Sequence, residues 1–483
     1  LTRPSWARQV ERSLLGFFIA LMIWLPLPLG SNRPWAVAMA AAAVWLLLAA
    51  TGLLRLTRAG ASGVPPSSGW GAHLILALLV GFTAWTGLQM SPWGYTEDPH
   101  QTRMYLLRCL GYVGAFWLVQ LLVTSHRRRT ALLAGLLTAG VLQALVAMVL
   151  FSAAGRYEMM GFSFVQGVRA TGTFPGPDAL ADYMLLTIAA GLAVMLAQLG
   201  EGRPQPPAER WDARLRRVAE FMMSTKMLVR LMLIIMVIAM VLTRSRMGNG
   251  AFFVGLFLMA GWVMWRSERL RKPAAVLVVS LLVIDLVIIG QWVGLSKVLD
   301  RMQATEVAME AQAASAAAAE PLQKPVRKRE ETLDERLRPV RDAMAMVRER
   351  PLTGFGGGSF YNAFTRYKVE SLQQPYNHAH NDYLELIVDT GLVGFSLLAL
   401  AVLLTLGRVF QLMNDDRSAH VRGLAAGVGM GLICALLHAL VDLNLQINAN
   451  AMTLTVLLAV VWSVPRDAST SHHRSERRSP SNP

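Results

Sequence analysis

The chain has 483 residues, 54% of them hydrophobic and 16% charged, a balance too apolar for a soluble multidomain protein. Its net charge of +15 would fit a nucleic-acid partner only if the basic residues gathered on one solvated face. They stand instead in short connectors between apolar runs, where topology and anionic headgroups account for them, so membrane lipids and no nucleic acid are the expected partners.

Taken in order, the chain holds about twelve apolar runs long enough to cross a bilayer as helices: 14–30, 34–54, 71–90, 104–124, 131–153, 179–199, 227–243, 250–265, 274–294, 385–407, 421–440 and 447–464. The first follows Arg3, Arg8 and Arg12 as a signal peptide would. No small-residue cleavage site follows Pro26 to Gly30, so the run is expected to be a retained span. The two cysteines, Cys109 and Cys434, lie within apolar runs without CxxC spacing, which indicates neither a disulfide framework nor a zinc site.

Basic clusters fall at every second connector: Arg55 and Arg58, Arg127 to Arg129, Arg203 to Lys226, Arg266 to Lys272, Arg408 to Arg422, and the tail after Arg466. Short cytoplasmic loops are enriched in Lys and Arg, so both termini are expected in the cytoplasm and the remaining connectors outside, in the periplasm of a cell with two membranes. The resulting division is membrane helices over 1–294, a large outer loop over 295–384, membrane helices over 385–464 and a basic cytoplasmic tail over 465–483.

The outer loop opens on an Ala- and Glu-rich stretch with good helix propensity and few large apolar residues. A charged helix follows, expected to be interrupted near Pro339, with Leu337, Val340, Met344 and Val347 near one face. Pro351 should stop it, and LTGFGGGSF should turn the chain back toward the membrane. Gly354 and Gly356 to Gly358 are similar in composition to a phosphate-cradling loop, but no P-loop lysine follows, and a turn shaping a groove is the better reading.

The most unusual stretch is Tyr376 to Phe395, YNHAHNDYLELIVDTGLVGF, where polar residues abut a membrane-length apolar run. His378, His380, Asn381, Asp382, Tyr383 and Glu385 crowd into it, and Asp389, Gly391 and Gly394 lie within the apolar run itself. Ionisable groups at a membrane boundary are expensive unless they serve a site. Histidine takes a proton at neutral pH. The HxH spacing with Asp382 is a weak metal signal without further placed ligands, so no metal is expected. Arg169, Arg244 and Arg246 fall on the same side of the membrane under this topology, and arginine offers a planar fork of donors to phosphate oxygens. A single arginine in such a loop is more often an interfacial residue snorkelling to headgroups. Tyr361, Tyr367 and Tyr376 are candidates for sugar stacking, although interfacial anchoring is the commoner role. Inside the runs, Arg108, Arg230, Asp285 and His438 call for partners, and Asp442 and Asn444 fall just outside.

The order His380, Asn381, nine residues, Gly391, two residues, Gly394 resembles the signature of the O-antigen ligase and polymerase superfamily of bacterial envelope proteins. RDAMAMVRERPLTGFGGGSF at 341–360 is similar to the family's preceding helix and glycine-rich turn. VRATGTFPGPDALADY at 168–183 and LTRSRMG at 242–248 resemble its two arginine-bearing loops. The resemblance implies an all-α, GT-C-like polytopic membrane protein of the bacterial inner membrane with its active site on the periplasmic side. It implies transfer of an undecaprenyl-diphosphate-linked glycan to an acceptor glycan, either a lipid-linked repeat or the lipid A core, or else to a protein hydroxyl. His380 would be the base, or the group that positions the acceptor. Arg169 and Arg246, with Arg244 beside them, would hold the donor diphosphate, so no metal or other cofactor is required. Asn381, Asp382, His378 and Tyr376 are assigned to the acceptor side or to support of the loop, and Gly391 and Gly394 to close helix packing. The long charged insert and the DLNLQINAN stretch lean toward a polysaccharide polymerase. A twelve-helix transporter or lipid flippase is the competing reading, but its site would lie near the midplane of two related halves, and no repeat is evident.

Overall fold

The computed structural model describes residues 5–56, 69–200, 224–283, 333–367 and 378–465, apart from single positions and short gaps within those stretches. It is a helical membrane bundle. Five helices come first: α1 (Ser5–Trp24), α2 (Pro34–Leu56), α3 (Trp70–Gln89), α4 (Pro99–Leu122) and α5 (His126–Ser152). A short hairpin follows, β1 (Arg156–Met159) and β2 (Phe162–Val165), and then α6 (Pro177–Gly200), α7 (Thr225–Leu242) and α8 (Arg246–Arg266). The stretch between α8 and the last three helices contributes α9 (Leu333–Glu349) and α10 (Phe360–Phe364), and the bundle closes with α11 (Asp382–Met413), α12 (Ala419–His438) and α13 (Asn448–Trp462).

Among the described residues nine helices are long and apolar enough to span a membrane, namely α2 to α8, α11 and α12. The difference from twelve has local causes. The first helix carries Arg8, Glu11 and Arg12, which dilute its apolar character. The last is apolar but only 15 residues long. The expected span at 274–294 lies largely outside the described residues.

The hairpin is a small addition to an all-α architecture. It pairs Arg156 with Val165 and Met159 with Phe162 in antiparallel register, in the connector between α5 and α6. The FSFV alternation, with glycine and methionine between the strands, is what a two-stranded ribbon needs.

Helix starts follow the capping rules. Asp98 accepts from the backbone N–H groups of His100 and Gln101, both at 3.0 Å, with Pro99 in the first helical position of α4. Ser125, Ser224 and Ser418 cap α5, α7 and α12, and Asn381 caps α11. Each satisfies an N–H that the helix geometry leaves without an internal partner.

The core is built around α6. Every residue of its apolar window is buried, and its most extensive neighbour is α12. Gly423, Gly427 and Gly431 of α12 face it at four-residue spacing. A Cβ at these positions would stand 2.5 Å from Leu196, 2.3 Å from Ala193 and 2.7 Å from Ala189. The two backbones therefore run in contact, as small-residue stripes allow in membranes, where van der Waals packing replaces the hydrophobic drive between helices.

A second, smaller core lies outside this bundle and joins the outer loop to α11. Ala343 and Met346 of α9, Phe355, and Phe360 and Phe364 of α10 pack with Ala379, Leu384 and Val388. The α9 face differs from expectation: Val340 and Val347 pack inward, but Met344 is exposed and Ala343 takes its place. Leu337 belongs to a stretch whose side chains are not described. Nor is α9 interrupted at Pro339; it runs through to Glu349. A proline in the second turn forfeits a single backbone bond, and the docked C-terminal half compensates.

Candidate active site

The glycine-rich turn after α9 is where the sequence and the fold meet most tightly. Helix α11 breaks at Gly391, whose φ of 67° and ψ of 179° are non-helical. Into that break fits the turn 351–358: Leu392 N–H donates to the Pro351 carbonyl at 2.8 Å, and Phe355 N–H to the Val388 carbonyl at 2.9 Å. A Cβ on Gly391 would lie 2.0 Å from the Leu352 carbonyl oxygen, so only glycine fits. Helix α3 satisfies carbonyls that the break frees. Trp85 Nε1 donates to Thr390 O at 2.8 Å, and Gln89 Nε2 donates to Asp389 O at 2.9 Å. Gly394, also buried, packs toward Phe82 of α3.

The glycine-rich turn, read from sequence as a turn shaping a groove, also forms an anion cradle that the chain fills itself. The N–H groups of Gly358 and Phe360 donate to the two carboxylate oxygens of the fully buried Asp389, at 2.8 and 2.9 Å. No donor is left there for a ligand phosphate from these two groups.

The same helix holds the histidine loop. His378 Nδ1 lies 2.7 Å from Glu385 Oε1, and Ala379 N–H donates to the other Glu385 oxygen at 3.0 Å. Burial alone would lower the pKa of His378, but the charge and hydrogen bond of Glu385 outweigh it and the net shift is upward. In the α3–α4 connector, Glu97 accepts from Arg350 at 2.9 Å and pairs with Arg366 at 2.6 Å. The Arg366 hydrogen bond holds the Glu97 carboxyl below its usual range. This clamp fastens the α3–α4 connector to the loop platform.

His380 stands in the left-handed region at φ 51°, uncommon for a residue with a side chain and a feature that concentrates at functional sites. Its Nδ1 lies 3.9 Å from Asp442 Oδ1, and its side chain is one-fifth exposed. Asn381 spans the junction: its side-chain oxygen caps Leu384 N–H at 2.9 Å and its amide donates to the Leu440 carbonyl at 2.9 Å. Asp382 is buried and accepts from Leu445 N–H at 3.0 Å, while its own N–H donates to the Ala439 carbonyl at 3.0 Å. Tyr383 donates to the Leu436 carbonyl at 2.7 Å. These bonds tie the start of α11 to the end of α12. Tyr376 lies outside the described residues. Tyr361 is exposed, and Tyr367 is committed to Glu349; burial, with the Glu349 hydrogen bond adding to it, pushes its phenol up to about 12.

The arginine loops arrive at the same end of the bundle. Arg169 Nε donates to the Thr243 carbonyl at 2.8 Å and its Nη2 pairs with Asp178 at 2.6 Å, so the 169–176 loop is pinned between α6 and the end of α7. Arg244 is half-buried with φ 51°. Arg246 is exposed at the first position of α8, where Ser245 accepts from Gly248 N–H at 3.2 Å.

Buried side chains join the two halves of the site. Asp178, His438 and Asp442 place one ligand-type atom each within 4.8 Å of one another, so Arg169, through Asp178, and His380, through Asp442, border one polar cluster. Asp182, one turn further along α6, faces His438 Nδ1 at 3.5 Å. The Asp178, His438 and Asp442 set has the atom types of a metal site, but one Asp178 oxygen already serves Arg169. Sequence reasoning placed His438 in a helix and Asp442 at the border, and passed over Asp178 and Asp182. The signal was present: DALAD and HALVD each carry polar groups four residues apart, which stack on one helical face.

Of the remaining polar residues in the runs, Arg108 donates to the Gln446 carbonyl at 2.9 Å and to Asn32 at 3.2 Å, which makes it a helix-pairing residue. Arg230 is half-buried in α7, and Asp285 lies outside the described residues.

A family model described as O-antigen ligase matches residues 231–399. The match takes in most of α7, the Arg244 and Arg246 connector, the glycine-rich turn, the histidine loop and the break at Gly391. It ends before α12 and does not reach Arg169, Asp178, Asp182, His438 or Asp442. No curated protein matches the chain. The matched region is about a third of the chain and holds the histidine loop and the glycine-rich turn, and it supports a place in the O-antigen ligase and polymerase superfamily.

Proposed function

We propose that the protein is an inverting membrane glycosyltransferase that moves a glycan from a polyprenyl diphosphate, in bacteria undecaprenyl diphosphate, onto a sugar hydroxyl. His380 removes the hydroxyl proton as that oxygen attacks C1 of the donor sugar. The C1–O bond to diphosphate breaks with inversion, and the lipid diphosphate leaves carrying the negative charge. Asp442 faces Nδ1, which favours the tautomer that leaves Nε2 as the accepting atom. Arg246 and Arg244 hold the diphosphate through charge-assisted hydrogen bonds. Arg169, two of whose donors are already used within the fold, contributes from the pinned loop.

The single observation that carries the reading is His380 itself: a left-handed residue inside the matched domain, turned toward a buried carboxylate. The site end of the bundle corresponds to the periplasmic face of the inner membrane, with both termini in the cytoplasm, as the alternation of basic connectors requires. The segment 295–384 is then a periplasmic loop between membrane regions 1–294 and 385–464, and 465–483 is a cytoplasmic tail. No step in this scheme needs a metal. The acceptor we favour is a second lipid-linked repeat, which makes the enzyme a polysaccharide polymerase; the lipid A core and protein hydroxyls are the other acceptors of this chemistry.

Purified protein supplied with polyprenyl-diphosphate-linked repeats as the sole sugar source should build a ladder of longer lipid-linked glycans. His380→Ala should lower the rate by about 10²- to 10⁴-fold, the usual contribution of a placed base, while the protein remains monodisperse. Transfer only to lipid A core or to protein would replace the polymerase reading with ligase or protein transferase. Absence of transfer from folded wild type to any of the three would overturn the proposal.

A further inference from the structure

Behind Asp442 lies a pair of buried groups that the scheme above does not use. His438 is fully buried and Asp182 is 1% exposed. His438 Nε2 faces Asp442 Oδ2 at 3.9 Å, and Nδ1 faces Asp182 Oδ1 at 3.5 Å. Among the described residues no other hydrogen-bond partner reaches either ring nitrogen of His438 or either oxygen of Asp182. A ring flanked by a carboxylate at each nitrogen holds both only by carrying two N–H groups, or by sharing a proton with one of the acids. Asp442 also accepts from Leu443 N–H at 3.0 Å through Oδ1, the oxygen nearer His380.

We propose that His438 and Asp182 form a buried positioning pair that fixes Asp442 behind His380, so that the orientation of the base is set from the interior of the bundle. The order is His380, Asp442, His438, Asp182. Its far end rests on rigid backbone, because the glycine stripe of α12 presses directly on α6, and Asp182 and His438 stand at the site end of those two helices. Asp442 lies beyond α12 in a turn, where backbone alone constrains a side chain poorly; the ring of His438 one turn earlier provides the missing wall. Both flanking acids being withdrawn from water makes each contact stronger than its surface counterpart and each loss more costly.

The inference rests on His380 being the base, and the test separates the two. In full-length protein, His438→Gln and Asp182→Asn should lower kcat about 10- to 100-fold, the usual effect of groups that orient a reacting residue. KM for the lipid-linked donor should stay within about twofold, since neither residue meets the substrate. His438→Ala should be worse than His438→Gln, which keeps a donor toward Asp442. The second readout needs no turnover. Ethoxyformylation of His380 by diethylpyrocarbonate, followed by peptide mass spectrometry, should slow at least about threefold in His438→Gln and in Asp442→Asn, because the ring loses the partner that sets its tautomer. Should wild type transfer no glycan, that reactivity decides the matter by itself. Unchanged His380 reactivity in folded His438→Gln would overturn the proposal, as would a KM effect without a kcat effect. A stoichiometric metal ion in wild type that is absent from His438→Ala would overturn it too, by making the cluster a metal site.

Discussion

Helices α6 and α11 both bring buried carboxylates to the site end of the bundle, and they do so in opposite ways. The apolar window of α6 is wholly buried, whereas only 33% of the α11 window is. Helix α6 is central, enclosed by α5, α7, α12 and α13, and its acids Asp178 and Asp182 face ionisable side chains, Arg169 and His438. Helix α11 leaves most of its surface uncovered by the rest of the protein, and its acids accept from backbone, with Glu385 also facing His378. Asp382 takes Leu445 N–H, Glu385 takes Ala379 N–H, and Asp389 takes those of Gly358 and Phe360. The lesson is that a carboxylate in a membrane helix is not by itself a reacting group. On α11 the row holds three loops in place, one of them also through His378; on α6 the row meets Arg169 and His438, which border the His380 site.

That contrast predicts its largest effect at the break in α11. Gly391→Ala places a Cβ 2.0 Å from a backbone oxygen at a positive φ, and combined overpacking and left-handed strain should cost about 3 kcal/mol or more. Thermal unfolding in detergent should show the loss, and a variant as stable as wild type would mean that the turn does not lock α11.

A middle-sized test asks whether α6 is the buried member of the pair. Leu186 in α6 is fully buried and Leu403 in α11 is 63% exposed. Leu186→Ala should cost about 3 kcal/mol through its cavity, and Leu403→Ala less than about 0.5 kcal/mol. Equal losses in the two variants would erase the distinction drawn here.

The smallest effect concerns the anchoring of the histidine loop. Because the pKa of His378 is raised in the folded protein by Glu385, the pair's stabilisation is fully present below the ordinary histidine value of about 6.5. It is lost as pH rises through the raised value. The melting temperature of His378→Gln should therefore trail that of wild type by about 1–2 °C in mildly acidic buffer, and the two should converge on the alkaline side of the His378 titration. A gap that widened with pH would contradict the sign of the shift.

The comparison also marks where sequence reading stopped. Apolar runs of bilayer length announce helices because hydrocarbon tolerates no unsatisfied backbone, and so the helical membrane class and most of the helix positions were legible. The histidine signature was legible as well, since polar residues against an apolar run have few innocuous explanations. Gly391 was noticed for its spacing and assigned to close packing, but its left-handed break follows from the turn that docks into it. Gly356 to Gly358 read as a turn, and only the fold shows that the turn cradles the Asp389 carboxylate.

What the sequence determined by itself was therefore the solvent, the helices and the chemical kinds of residue available: histidines and arginines in connectors, acids within apolar runs. Tertiary structure alone decided which of them meet. Asp178, Asp182, His438 and Asp442 come from stretches more than two hundred residues apart, and no local pattern joins them. They converge because glycines on α12 let two helix backbones touch, and because burial leaves polar atoms no partner but one another.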